Sequence, residues 1–420
     1  MSSAVPVAPA GSAEAAAGVR SLYIHVPFCE RRCEYCDFAS VAGLAGHEEY
    51  VAALRVEIGA VAERLPGVEL DTVFVGGGTP SLLPPDLLAG ILDEVRDGFR
   101  LAPGAEVTME ANPSSTDSRR ARSWREAGVN RVSLGIQSLH PPALRFLGRV
   151  HDAARALAAV EELRSAGIER ISTDLIYAVP GLDDDAWSDT LDRVLALGCD
   201  HLSAYELTVE PGTPLHRSVA RGAVTPVGAE PALRQQRICL DRCAQAGLLR
   251  YEISNHARPG QECRHNLAYW ANAWYLACGV GAHGHLPPAA AAALGMTPEG
   301  ATIAAGIRYW HERHPAAYVR SVSARPAAPV AGMEAVSAAD TESERVMVGL
   351  RRTAEGVALR GPGALAEARA LAGEGMLEFD EAMARVRATE RGAEVLDALV
   401  LRLVEAADTT AVSPGGAGRR

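Results

Sequence analysis

The stretch YIHVPFCERRCEYCDF, residues 23–38, decides the fold and the chemistry expected of this 420-residue chain. It places three cysteines, Cys29, Cys33 and Cys36, within eight residues, directly after a short apolar run. A cubane iron-sulfur cluster has four irons, so three cysteine ligands leave one iron open to bind and activate a small molecule. Structural zinc normally takes four protein ligands, and no fourth ligand lies nearby at a matching spacing. The CxxxCxxC spacing therefore favours a cluster over a zinc site.

Composition narrows the classes of protein that the chain can belong to. A net charge of -11, with 48% hydrophobic and 22% charged residues, is ordinary for a globular chain of two or three domains. All 41 basic residues are Arg, which excludes Schiff-base lysine catalysis and a Walker phosphate loop. The acidic balance disfavours nonspecific nucleic-acid binding. No run approaches the roughly 18 apolar residues of a membrane span, and the Ala-rich start lacks a basic leader.

Cysteine usage predicts a reducing compartment. Three of the eight cysteines are clustered, and the other five, Cys199, Cys239, Cys243, Cys263 and Cys278, are scattered along the chain. In a chain of this length the pattern does not indicate a disulfide framework. We therefore expect a cytoplasmic protein, where a cluster would also be protected.

Alternating strand and helix patterns predict an α/β fold. Six short β-rich runs are predicted as strands, over 22–26, 72–75, 106–110, 131–135, 171–177 and 201–207. Intervening helices are predicted over 47–64, 85–97, 117–127, 152–166 and 184–197. Six such units favour a parallel sheet in a (β/α)6 partial barrel of the TIM type. An eight-unit barrel is the alternative, but the alternation fades after Gly212.

Composition shifts divide the chain further. Residues 1–20 read as a disordered tail, 21–250 as the barrel core, and 251–334 as an aromatic and Gly-rich segment with a connector that holds a helix around 306–322. Amphipathic patterns over 335–406 predict a small, mainly helical C-terminal domain, and 407–420 a second tail.

Polar residues and glycines follow several of the predicted strands. The segment GGGTP at residues 76–80 ends the second strand, and Glu110, Gln137 and Asp174 lie at or near the ends of the next three. Active sites of barrels lie at the C-terminal ends of the strands, and buried polar groups need a partner. These residues therefore predict a ligand site, with an internal hydrogen-bond network as the alternative.

The residues quoted so far resemble the radical S-adenosylmethionine (radical SAM) superfamily, in which the methionine moiety of SAM chelates the open iron of a [4Fe-4S] cluster. The wording YIHVPFC followed by RRCEYCDF is similar to the branch that contains oxygen-independent coproporphyrinogen III oxidases and HemW-type heme chaperones. The resemblance implies that Cys29, Cys33 and Cys36 hold the cluster. It also implies SAM contacts by Tyr23, Gly77, Gly78, Thr79, Glu110, Gln137, Arg149, Asp174 and Thr208.

A second block, residues 251–285, is dense in histidine, cysteine and aromatic residues. Its HNxxYW motif, which starts at His265, resembles the segment associated with heme binding in this branch, so the resemblance makes His265 the leading heme ligand. Packing between the barrel and the appended domain is the alternative role. Cys263 is a weaker ligand candidate, and His283 and His285 are expected near the SAM pocket rather than on a metal. Cys239 and Cys243, four residues apart on a predicted helix, lack a third ligand for a metal.

The choice within the branch depends on two departures. Coproporphyrinogen oxidases of the family carry CxxxCxxCxC, whereas Phe38 stands at the position of the last cysteine. Their longer N-terminal segment is replaced by about twenty Ala- and Gly-rich residues. Both departures favour a chaperone that binds heme and passes it to an acceptor hemoprotein, with an electron donor such as a flavodoxin or ferredoxin. The alternative is an oxidase that decarboxylates coproporphyrinogen III through a SAM-derived radical.

Overall fold

The computed structural model describes residues 18–297 and 305–408. Its strands are β1 (Ser21–Val26), β2 (Phe28–Cys29), β3 (Val41–Ala42), β4 (Glu69–Gly77), β5 (Arg100–Ala111), β6 (Arg131–Gln137), β7 (Arg170–Tyr177), β8 (His201–Glu206), β9 (Leu249–Arg250), β10 (Asn255–Ala257), β11 (Tyr275–Cys278), β12 (His283–Leu286), β13 (Gly306–His311), β14 (Val330–Val336), β15 (Val357–Ala358), β16 (Leu377–Asp380) and β17 (Arg385–Ala388).

The α-helices are α1 (His47–Arg64), α2 (Pro85–Gly98), α3 (Ser118–Glu126), α4 (Pro141–Phe146), α5 (Ala153–Ser165), α6 (Asp184–Leu195), α7 (Pro214–Ala220), α8 (Ala229–Gln245), α9 (Arg264–Trp270), α10 (Pro288–Ala293), α11 (Pro315–Ala324), α12 (Ala338–Gly349), α13 (Pro362–Gly373), α14 (Glu390–Ala393) and α15 (Leu396–Asp408). Short 3-10 helices follow β4 and β5, at Pro80–Leu82 and Pro113–Ser115.

The predicted parallel core is confirmed. Strands β1, β4, β5, β6, β7 and β8 lie side by side in that order, and each pairs in parallel with the next. Between them run the predicted helices, three of which begin at an aspartate whose carboxylate accepts backbone N–H groups, as N-caps do. These caps are Asp117, Asp152 and Asp183. The C-terminal ends of the six strands thus meet at one rim.

The sheet continues beyond these six strands on both sides. β11 pairs in parallel with β1, and β12, β13 and β14 follow in antiparallel pairs. At the other end β10 pairs antiparallel with β8, and β9 pairs with β10. Within the part of the chain that the structure describes, the outermost strands β14 and β9 do not pair with each other. The barrel is therefore open, which confirms the partial barrel over the eight-unit alternative.

Two features of the C-terminal half differ from the expectation. The helix expected around 306–322 was wrong for its first half, because β13 occupies Gly306–His311 as an antiparallel strand beside β12. The C-terminal region packs α12, α13 and α15 around a hydrophobic core of its own, and it also holds a three-stranded antiparallel sheet of β15, β17 and β16. The expectation of a mainly helical region overlooked this small sheet, whose strands are only two to four residues long.

The ends of the chain bear on the two predicted tails. Residues 1–17 and 409–420 lie outside the described residues. Val19 is already buried in the main core, and the Arg20 side chain pairs with Asp71 at 2.6 Å. Among the described residues, no helix combines the length and apolar character needed to cross a membrane.

Candidate cofactor site

A cavity of about 570 Å³ opens between the cysteine loop and the C-terminal ends of strands β4 to β8. Most of the residues predicted for the site line it: Cys29, Cys33, Cys36, Gly77, Gly78, Thr79, Glu110, Gln137, Arg149, Asp174 and Thr208. Tyr23 and His265, the two other predicted site residues, are not among its lining residues. The rim of a parallel sheet has thus gathered side chains that are up to 179 positions apart in sequence, from Cys29 to Thr208.

Backbone hydrogen bonds fix the cysteine loop over this rim. Cys29 ends β2, which pairs with β3, and its carbonyl accepts the Gly43 N–H at 2.8 Å. Within the loop the Cys36 N–H donates to the Cys33 carbonyl at 3.3 Å. On the far side the Leu215 N–H, at the start of α7, donates to the Glu34 carbonyl at 2.9 Å. The three thiols are therefore presented by a loop that is anchored at both ends.

Burial of the loop thiols disfavours the thiolate form, and nearby hydrogen-bond donors favour it. Burial raises the pKa of the Cys36 thiol to about 11 and also raises the pKa of Cys29, so a bound metal would have to supply the charge that stabilises the thiolates. Two donors already face the sulfurs. The Thr79 hydroxyl donates to Cys29 Sγ at 3.6 Å, and Arg149 Nη1 donates to Cys33 Sγ at 3.6 Å.

The distances between the loop sulfurs bear on whether the loop binds a cluster or a single metal ion. The loop cysteines do not form a set in which all ligand atoms lie within 4.8 Å of one another, a closeness that another group in the described residues does reach. A single ion draws its ligands together, whereas each cysteine of a cubane binds a different iron. As placed here, the loop thiols are farther apart than the ligand atoms of one bound ion.

Arg149 connects the loop to the sheet. Besides its bond to Cys33, its Nη2 donates to Asn112 Oδ1 at 2.5 Å and to the Gly135 carbonyl at 2.9 Å. Asn112 in turn donates to the Thr79 hydroxyl at 3.1 Å. Arg149, predicted as a SAM contact, thus lies in the cavity wall and bonds to both the cysteine loop and the sheet.

Asp174 lies at the centre of a buried polar cluster on neighbouring strands. Its carboxylate accepts hydrogen bonds from Ser133 at 2.8 Å, Ser203 at 2.7 Å and Ser172 at 3.0 Å. Burial raises the pKa of Asp174, although the three hydroxyls partly oppose that shift. The internal network considered as an alternative is therefore real, and the same carboxylate also borders the cavity.

Sequence reasoning missed Arg131, Ser133 and Ser203, which line the cavity from β6 and β8. The signal was available as an alternation of period two, because Arg131, Ser133, Gly135 and Gln137 share one face of β6. An arginine and a serine inside otherwise apolar strand patterns mark that face as polar.

Comparisons with known proteins agree with this geometry. The family model described as "Radical SAM superfamily" matches residues 23–194. The Mycobacterium tuberculosis protein named heme chaperone HemW is 39% identical over 389 residues, which are 91% of this chain and 94% of the relative. The chain belongs to the HemW family of radical SAM proteins. The Escherichia coli heme chaperone HemW is 38% identical over 273 residues, or 63% of this chain and 69% of that protein.

This HemW-family chain shares its fold with an enzyme of known structure. Escherichia coli coproporphyrinogen III oxidase (HemN), described as a radical SAM enzyme, superposes with a TM-score of 0.74 at 20% identity, covering 96% of this chain and 94% of that chain. At this identity the likeness shows the fold alone. Membership of the superfamily implies a [4Fe-4S] cluster and SAM, which agrees with three thiols beside a polar cavity.

Tyr23, expected beside the cluster as a SAM contact, lies behind the cavity wall in this HemW-family chain. Its hydroxyl is 3.1 Å from His25 Nδ1, and His25 Nε2 is 2.8 Å from the Ala39 carbonyl, just beyond the cysteine loop. The Tyr23 ring stacks on Phe74, which does line the cavity. Tyr23 can therefore position the cysteine loop through His25. A direct contact between Tyr23 and SAM stays a prediction, because Tyr23 does not line the cavity.

His265 is also away from the cavity. Its side chain is buried on α9, Nδ1 is 2.8 Å from the Thr72 hydroxyl, and Nε2 is 2.9 Å from the Tyr269 hydroxyl. Its ring stacks on Phe74 at 5.2 Å. Both nitrogens are thus engaged, which corresponds to the packing role considered as the alternative. A heme iron at His265 would have to displace one of these two hydroxyls.

The other metal-ligand candidates of the 251–285 block lie elsewhere. Cys263 is fully buried, with its Sγ 3.6 Å from Glu106 Oε1, and the Glu106 carboxylate accepts the first backbone N–H groups of α9. The Gly-rich turn before β12 is tied to α1 instead of the cavity, since the Gly279 N–H donates to Glu57 at 2.9 Å. Neither His283 nor His285 lines the cavity. Their expected position near the SAM pocket stays a prediction.

Glu110 gives a prediction for stability against pH. It borders the cavity and accepts the Gly77 N–H at 2.9 Å, yet burial, assisted by the nearby Asp174 charge, raises its pKa to about 7. A carboxyl with a raised folded-state pKa contributes stability that is full below its unfolded pKa of about 4.5 and is lost as the pH rises through about 7.

We therefore expect Glu110→Gln to flatten the decline in the free energy of unfolding between pH 5 and pH 8 by about 2 kcal/mol, measured by denaturant titration without SAM. The glutamine keeps an acceptor for Gly77 but carries no charge at either pH. Parallel curves for the two proteins would show that the Glu110 carboxyl is not destabilised by its site.

Proposed function

We propose that this chain is a heme chaperone that holds a [4Fe-4S] cluster and SAM and passes heme to an acceptor hemoprotein. The observation that carries the proposal is the 39% identity to a protein named heme chaperone HemW across 91% of this chain and 94% of that protein. Support comes from the cavity, whose lining includes the three loop thiols, the carboxylates of Glu110 and Asp174, and the guanidinium groups of Arg131 and Arg149.

The residues of the cavity suit the two cofactors. Cys29, Cys33 and Cys36 would hold the cluster, and the open iron would supply a coordination place for the methionine part of SAM. Glu110 and Asp174 offer carboxylate oxygens for the hydroxyl and ammonium groups of SAM, while Arg149 offers guanidinium N–H groups for its carboxylate. Thr79 and Arg149 would keep the cluster thiolates polarised and in place through the bonds described above.

Heme is the less constrained part of the proposal. We retain His265 as the proposed iron ligand, reached when its Nε2 leaves the Tyr269 hydroxyl. The pKa of His265 is lowered to about 4 by burial, so the imidazole is neutral and able to ligate a metal at physiological pH. An acceptor hemoprotein, a flavodoxin- or ferredoxin-like electron donor and a cytoplasmic location complete the proposal.

Paired variants test the heme ligand. We expect His265→Ala to weaken heme binding at least tenfold and to leave cluster absorbance unchanged, because His265 does not line the cluster cavity. Tyr269→Phe removes the hydroxyl that occupies Nε2 and should preserve or strengthen heme binding. The measurement is a heme titration followed in the Soret band. Unchanged binding in His265→Ala, together with lower stability, would assign this histidine to packing alone.

One assay separates the chaperone from the oxidase alternative. Anaerobically reconstituted protein is given SAM and reductant with either heme or coproporphyrinogen III. The proposal expects stoichiometric, retained heme that moves to an apo-hemoprotein, and no protoporphyrinogen IX. Multiple turnovers of coproporphyrinogen III to the decarboxylated product would overturn it and make the chain an oxidase of the HemN type.

A further inference from the structure

In the structure a histidine lies beside Cys239 and Cys243, the pair for which the sequence offered no third metal ligand. Cys239 and Cys243 lie one turn apart on α8 with their sulfurs 3.9 Å from each other. His256 comes from β10, the second strand from the edge of the main sheet. One ligand atom from each of the three residues lies within 4.8 Å of the other two, the closeness expected of atoms that share one metal ion.

The ring nitrogens of His256 are available to bind a metal ion. Its side chain is 4% exposed, and neither Nδ1 nor Nε2 has a hydrogen-bond partner among the described residues. The Leu202 backbone, opposite His256 in the sheet, makes a weak contact with the ring that falls short of hydrogen-bond geometry. Buried polar nitrogens are normally satisfied, so an imidazole with two unpartnered nitrogens beside two thiols has the features of an empty ligand set.

The elements that carry the three residues are firmly held. One turn before Cys239, the side chain of Gln235 accepts the Ala178 N–H at 2.8 Å and donates to the Leu182 carbonyl at 2.9 Å. β10 is fixed on the other side by its pairing with β8. Preformed ligands on a helix and a strand are what a high-affinity site requires, since little order has to be created on binding.

We propose that Cys239, Cys243 and His256 form a second metal site, separate from the cysteine loop, for a thiophilic d10 cation, Zn²⁺ or Cu⁺. Two thiolates and one imidazole select such ions over Mg²⁺ or Ca²⁺, which prefer oxygen ligands. Two thiolates would neutralise Zn²⁺ and would leave a Cu⁺ complex with one net negative charge, which the nearby Arg250 guanidinium would offset. The bound ion would clamp α8 to the sheet edge, next to the strand that carries Ser203 of the cavity.

The test uses protein whose cluster has been reconstituted, so that the loop thiols are occupied. After treatment with a chelator, Zn²⁺ and Cu⁺ are titrated separately and anaerobically against a chromophoric competitor. We expect one equivalent of metal to bind tightly enough to be withdrawn from the competitor. Cys239→Ser and His256→Gln should each weaken this binding about 100-fold or more. Cys199→Ser, which removes a buried thiol elsewhere, is the matched control and should bind as the wild type does.

X-ray absorption spectroscopy of the bound metal in the wild-type protein identifies its ligand atoms, so this test does not depend on a variant that folds. Two sulfur ligands and at least one imidazole nitrogen would support the proposed site, and the tighter-binding ion in the titration identifies its occupant. A sulfur-only shell, or a shell without sulfur, would overturn the proposal. Failure to bind one equivalent of either ion, or equal binding by the Cys239→Ser protein, would overturn it as well.

Discussion

Cys33→Ala is expected to abolish the iron-sulfur cluster, reducing cluster iron and the visible absorbance to less than about a tenth of the wild-type values. The reason is ligand count, because the remaining Cys29 and Cys36 would leave two irons of a cubane without protein ligands. Cys33 Sγ is also the atom that Arg149 contacts from the sheet side, so its loss releases the loop from that anchor. The measurement is iron and sulfide analysis with an absorption spectrum after anaerobic reconstitution.

Two controls make this result specific. Cys278→Ser removes a thiol that is fully buried on β11 and should leave cluster iron unchanged. Circular dichroism should show wild-type helix content for Cys33→Ala, because Cys33 lies in a loop outside the main sheet. Wild-type iron and spectrum in the alanine variant would contradict the assignment of this loop as the cluster ligand set.

Gly78→Ala is expected to lower the free energy of unfolding by about 1–3 kcal/mol, since the new methyl group has no space. A Cβ at Gly78 would lie 2.6 Å from the carbonyl carbon of Pro27 and 3.0 Å from the amide nitrogen of Phe28, and backbone atoms cannot move aside as a flexible side chain can. The backbone at this point is also tied down, because the Gly78 N–H donates to the Val26 carbonyl at 2.8 Å. Denaturant unfolding measures the loss.

The position of the clash predicts a second effect. Pro27 and Phe28 lead directly into Cys29, so a displaced segment should also lower the yield of reconstituted cluster. Gly373→Ala is the matched control, because a Cβ there meets nothing within 4 Å and the residue lies at the end of a helix. Equal stability of the Gly78 and Gly373 variants would contradict the idea that close backbone approach requires the glycine.

The glycine run, which is predicted to contact SAM, also has a packing role at the strand ends. Glycines at a strand end allow a ligand to approach the backbone closely, because no Cβ stands in the way. In the structure Gly77 and Gly78 do line the cavity, but the space that a Cβ would fill is taken by His25 and by Pro27 on the side of β1. Tight packing between neighbouring strand ends is therefore at least one reason for glycine at these positions.

The sequence by itself determined the parts of this protein that depend on local periodicity and spacing. The six parallel strands and the helices between them followed from alternating patterns and turn residues, and the cluster loop followed from cysteine spacing. Polar residues at strand ends could be assigned to one rim because all parallel strands of a barrel end on the same side. The order of these elements along the chain depends on interactions between residues that are close in sequence.

Tertiary structure alone decided which distant groups meet. The strands β9 to β14 are mostly short and join the sheet through pairing with β1 and β8, a contact that local sequence does not encode. Burial decided that His265 bonds to Thr72 and Tyr269 rather than facing the cavity. The same long-range packing carried His256 to Cys239 and Cys243, so a ligand pair that is weak in sequence becomes a three-ligand cluster in space.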